Sequence, residues 1–152
     1  MIWKAATMMT KVPRTLRIAS PLVMFVLMPL PALADERPDC LDPQTQMEMT
    51  YCASDDYQKA DADLNALWPD IVAAAKQNDE YVADMARERG VPTTLQALRT
   101  AQRAWITFRD AQCEYEAYEV FGGTMQPMVG TLCLARLTRE RIAVLSQALE
   151  SR

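Results

Sequence analysis

The 152-residue chain contains no histidine. That absence excludes Ser-His-Asp and Cys-His catalysis and the usual histidine-ligated zinc hydrolase sites. There is no glycine-rich phosphate loop of the GxxxxGK type. None of the four cysteines stands in a C-x-x-C pair, which argues against a zinc site made of the four thiolates. Glycine is scarce, with four in all: Gly90, Gly122, Gly123 and Gly130. No segment alternates polar and apolar residues over a useful length, so strand signals are nearly absent.

What is present begins with an export signal. Lys4, Lys11, Arg14 and Arg17 precede an apolar run over 18–30, and Ala32-Leu33-Ala34 follows. A basic region, a short apolar core and a small-x-small exit are the parts of a secretory signal peptide, with cleavage expected after Ala34. The apolar run is too short to span a bilayer and is interrupted by Pro21 and Pro29. Asp35, not cysteine, follows the expected cleavage site, so no lipid anchor is expected. The division is therefore a signal peptide over 1–34 and one domain over 35–152.

The first 34 residues hold four of the 16 Lys and Arg and none of the 20 Asp and Glu, which leaves 12 against 20 and a net charge of −8. Nucleic acid is excluded as a natural partner, because phosphate binding wants a basic surface. A cationic protein would be attracted and steered, although acidity also serves solubility alone. Cys40, Cys52, Cys113 and Cys133 all lie beyond the signal. An even count in a small exported domain reads as two disulfides.

Helix is the expected state throughout, in an all-α bundle of three long helices and one short connecting helix. Thr45 and Glu48 have the spacing of a capping box. After them, Met49, Cys52, Ala53, Tyr57, Ala60, Leu64, Leu67 and Ile71 recur at helical spacing. Pro69 falls inside this run and should kink or shorten the helix, which resumes to about 75. Asn78-Asp79 reads as the cap of a short helix ending near Arg89, and Gly90 with Pro92 as its stop. Thr93 or Thr94 then caps a helix over about 95–120. Its Gln102, Trp105, Arg109 and Cys113 share one stripe, with Leu98, Ile106 and Phe108 widening the apolar surface. Gly122-Gly123 ends it. The last helix runs from about Pro127 to Leu149, with Leu132, Ala135, Ile142, Leu145 and Leu149 on its face.

Cys113 lies nine residues before Gly122, and Cys133 ten after Gly123. An antiparallel pair folded at these glycines sets the two at similar height, so a Cys113–Cys133 bond is expected, leaving Cys40–Cys52. Such a loop closure contributes roughly 3 kcal/mol. Arg109 faces inward on its stripe, and a buried guanidinium needs a carboxylate. Asp61 on the first helix is the expected partner in an internal clamp, with a ligand contact as the alternative. Asp110 and Glu114 share a face, but acidic pairs on a helix are usually solvated, so a carboxylate hydrolase is the least favoured reading. Methionines 47, 49, 85, 125 and 128 read as core filling rather than copper ligands. No catalytic group, cofactor or metal is expected.

These residues resemble the LprI-type lysozyme-inhibitor N-terminal domain family. The matching segments are DCLDPQTQMEMTYCA (39–53), ADADLNALW (60–68), AQRAWITFRDAQCEYE (101–116), GGTMQP (122–127) and CLARLTRERIAVL (133–145). The motif residues carried over include Thr45, Glu48, Asp61, Asn65, Gln102, Trp105, Arg109, Asp110, Gly122, Gly123, Thr138 and Arg141, with the four cysteines. Thr50 stands where the family has asparagine, Trp68 where it has tyrosine, and Pro69 is unusual there. The resemblance implies a helical domain, periplasmic or secreted, that binds a protein partner, with lysozyme as the namesake target. Gly122, Gly123, Thr124, Met125 and Gln126 are the candidate partner-binding residues. The competing reading is an envelope adaptor for another protein or a cell-wall component.

Overall fold

Local signals explain where each helix of the computed structural model starts and stops; it describes residues 37–151. The expected signal peptide lies outside the described residues. Thr45 caps α1 (Gln46–Glu88): its hydroxyl accepts the Glu48 amide, and the Glu48 carboxylate accepts the Thr45 amide at 2.9 Å. Glu48 also takes the Gln44 amide, and these backbone donors hold its carboxyl below the usual range. Thr93 and Gln96 build the same reciprocal cap on α2 (Thr94–Ala117). A 3-10 turn, Tyr118–Val120, extends α2 before the chain enters α3 (Gln126–Glu150) with Pro127 in its first turn.

The short connecting helix expected near 78–89 is not a separate element. Its residues continue α1, which runs for 43 residues and passes through Pro69. Proline in a helix interior costs about 3 kcal/mol. Burial offsets this: Ile71, Ala75 and Ala86, all beyond Pro69, are buried, and one Ile side chain alone contributes about 1.5–3 kcal/mol. Neither glycine nor a second proline interrupts the chain before Gly90. There Gly90 adopts φ 66°. Its amide donates to the Arg87 carbonyl, and the Val91 amide to that of Ala86, a Schellman closure that needs a left-handed residue.

Asn78 and Asp79 do cap a helix, but α2 rather than their own. Asp79 accepts the amides of Thr94 at 2.6 Å and Leu95 at 3.1 Å, and Asn78 donates to the Thr94 hydroxyl at 2.8 Å.

Met128, Arg139 and Leu145 of α3 meet Gln46, Asp56 and Ile71 of α1 in the same order. Thus α3 runs parallel to α1, and α2 returns antiparallel to both. Leu64, Ile71 and Leu145 form one core cluster, filled out by Trp68, Leu98, Trp105 and Ile142. Cys113, Cys133 and Leu137 form a second. Several side chains differ from expectation. Leu132, Ile106 and Phe108 are exposed, because α2 and α3 each turn only one stripe inward, and Met47, Met85 and Met125, expected to fill the core, are exposed as well. No strand occurs among the described residues, and none of their helices is long and apolar enough to cross a membrane.

Candidate functional site

Between the two core clusters, the motif residues of all three helices converge on Arg109. Its residue surface is 8 % exposed. Its Nε donates to Asp110 Oδ1 at 2.9 Å, and Nη2 lies 2.9 Å from the same oxygen. Nη1 reaches the Thr138 hydroxyl at 3.5 Å; Thr138 itself is fully buried. Asp61, the expected partner, stands 3.8 Å away, at the outer limit of an ion pair. The tighter partner is the adjacent Asp110, which takes both Nε and Nη2. Asp61 accepts the Asn65 side-chain amide at 2.9 Å.

Aromatic rings complete the enclosure. The guanidinium carbon of Arg109 lies 5.1 Å from the Trp105 ring centre and 5.5 Å from that of Tyr57. Arg141 approaches Trp105 at 5.7 Å and donates to the Gln102 side-chain carbonyl at 3.0 Å. Cations near aromatic rings gain more as they are desolvated. Burial lowers the Arg141 pKa, and burial raises that of the Tyr57 phenol despite the opposing charge of Arg109. The arrangement is a filled polar knot that fixes helix register. Its carboxylates are engaged by Arg109 and Asn65, so it offers no poised acid–base pair.

The second arrangement is the turn joining α2 and α3. Cys113 and Cys133, both buried, are bonded with their Cα atoms 5.4 Å apart. Nearby, a Cβ on Gly130 would stand 3.4 Å from that of Ala117. That is ordinary van der Waals contact, so Gly130 marks where α2 and α3 lie close without being required for it. Gly122 adopts φ 75°, and its amide donates to the Gln126 side chain at 2.8 Å. The Gly123 amide donates to Val120, and the Gln126 amide to Gly123. The turn is thus braced from within while Gly122, Gly123, Thr124 and Met125 are exposed.

Cys40–Cys52 is bonded as well, beside Met128 and Leu132 of α3. Because α1 and α3 are parallel, both disulfides stiffen the end of the bundle that carries the glycine turn. Thr45 and Glu48 lie at this end too.

A shallow groove of about 410 Å³ runs beside the turn. Asp110 and Glu114 line one wall, Gln126, Pro127 and Leu134 the other. Asp110 is held by Arg109, whereas Glu114 is exposed and makes no ion pair among the described residues. Glu116, one turn from Gln112, accepts the Gln112 side-chain amide and binds Arg136, which together hold its carboxyl below the usual range against the burial that raises it.

The family described as "Lysozyme inhibitor LprI" matches residues 40–145. That span includes both disulfides, the polar knot and the glycine turn. An uncharacterized protein of Rhizobium meliloti (strain 1021) is 41 % identical over 138 residues, covering 90 % of this chain and 98 % of that protein. No solved structure matches the chain.

Proposed function

The chain belongs to the LprI lysozyme inhibitor family, and from that premise we propose that it is an exported binding protein that inhibits lysozyme by occluding its cleft. Residues 1–34 act as a signal peptide, and the protein works in the periplasm or outside the cell. The disulfides fit an oxidising compartment.

One observation carries the reading: Gly122, Gly123, Thr124 and Met125 are exposed in a turn braced by the Gly122–Gln126 hydrogen bond, at the end of the bundle that two disulfides brace. A protruding element that is already ordered loses little conformational freedom on binding. Glu114 and Glu119 stand exposed on the helix leading into the turn. They would meet a strongly basic enzyme with complementary charge, favouring encounter and orientation more than affinity.

The test is lysis of cell-wall substrate by hen-type lysozyme at low ionic strength, with the purified protein added. Inhibition is expected, and added salt should weaken it by screening. Substituting both Thr124→Arg and Met125→Arg should reduce inhibition at least tenfold while leaving the unfolding midpoint unchanged. Absence of inhibition at high micromolar protein overturns the reading for that enzyme type. Capture of a different periplasmic protein would support the adaptor reading instead.

A further inference from the structure

α2 carries a second apolar face. Ala97, Ala101, Ala104, Phe108, Ala111 and Tyr115 recur at alternating spacings of four and three, the a/d repeat of a coiled coil. All six are exposed, and they lie on the side of α2 away from Arg109 and Cys113. Tyr118 continues the repeat, and its ring stacks on Phe121 with centres 5.0 Å apart and planes 9° apart. No charged residue interrupts the seam.

We propose that this face is a homodimer interface, in which two copies pair antiparallel through α2. The order of side chains argues for a second copy over another partner. Turn the seam end for end about residue 106 and Phe108 meets Ala104 of the second copy, Ala111 meets Ala101, and Tyr115 meets Ala97. Each ring then lies against an alanine, and two-fold symmetry makes every such contact twice. The stacked Tyr118 and Phe121 extend the apolar face past the end of α2, toward the start of α2 in the second copy. A parallel pair would instead set Phe108 on Phe108 and alanine on alanine, crowding one end and leaving the other empty.

The area matches a weak, reversible pair. Phe108, Tyr115, Tyr118 and Phe121 are 54 %, 71 %, 55 % and 69 % exposed. At typical ring-residue areas, full covering of these four buries about 500 Å² per copy, and about 1,000 Å² across the pair, the size of a transient rather than a permanent interface. The seam alanines add to it. The seam contains none of Gly122–Gln126, so the inference stands apart from the inhibitor reading.

The experiment is light scattering with size separation on the protein purified after export, from low micromolar to several hundred micromolar. A concentration-dependent mass of twice the monomer is expected. Ala104→Glu and Phe108→Lys each introduce one charge into the seam and should each raise the dimer dissociation constant at least 100-fold, with unchanged helical circular dichroism. Mixing the two variants should restore a dimer, because the opposed positions then carry opposite charges. A monomer at every concentration overturns the proposal. So does a dimer that both substitutions leave intact, or a mixture that stays monomeric.

Discussion

The carboxylate of Asp79 accepts the backbone amide of Thr94 at 2.6 Å, so a side chain of α1 caps the start of α2. The bond spans the α1–α2 corner and satisfies a donor that no residue within α2 can reach. Burial pushes the Asp79 carboxyl up, but the Leu95 amide, the hydroxyl and amide of Thr94 and the Thr93 hydroxyl outweigh it, and the net pKa lies below the ordinary aspartate value. A carboxylate with a lowered folded pKa stabilises the fold above its ordinary range and loses that contribution as pH falls through the folded value. Asp79→Asn should therefore lower the urea midpoint at pH 7. The gap between wild type and variant should narrow in acid, below the ordinary aspartate value. Parallel pH profiles would dismiss the charged cap.

Arg109→Met should destabilise the fold by about 2–3 kcal/mol, measured by urea unfolding. Breaking a fully buried ion pair costs about 3–5 kcal/mol, but Asp61 and Asp110 are partly exposed and keep some hydration. Arg109→Lys should fall between, since lysine keeps the charge and loses the planar fork. Unchanged stability together with lost partner binding would move Arg109 from the interior clamp to the contact surface.

Replacing both Cys113 and Cys133 by alanine should cost about 3 kcal/mol, as the chain-entropy account gives for a loop of this size. Peptide mapping under non-reducing conditions should return Cys40 with Cys52 and Cys113 with Cys133. A Cys52–Cys113 peptide would refute the pairing.

Pro69→Ala should stabilise the protein by about 1–3 kcal/mol, visible as a higher urea midpoint. Pro69 is exposed, so little packing is lost. Alanine would restore the amide that the Asn65 carbonyl lacks in the i−4 pattern and would relieve the ring clash. A drop in stability would mean that the local bend made by Pro69 is needed for packing.

Much of the fold was legible because its rules are local. A hydroxyl three residues before Glu48 announces the cap at Thr45, whereas the threonine pair 93–94 marked the start of α2 and the structure places the cap on Thr93. Gly90 and Gly122 mark positions that need φ above zero. Cys113 and Cys133 find each other because a glycine turn sets their heights. The glycine turn was readable as a candidate contact site for the same reason, as a break between two strongly helical runs.

The sequence by itself determined an all-helical, disulfide-bonded chain and the ends of most helices, since each of these depends on residues within a turn or two. Only the tertiary structure decided that α1 runs through Pro69, that Asp79 caps a different helix, that Arg109 binds Asp110 more closely than Asp61, and that Phe108 faces outward. Each of those outcomes depends on which faces of three helices meet. A helix such as α2 carries apolar residues on two sides, so periodicity alone cannot say which side the neighbouring helices will cover.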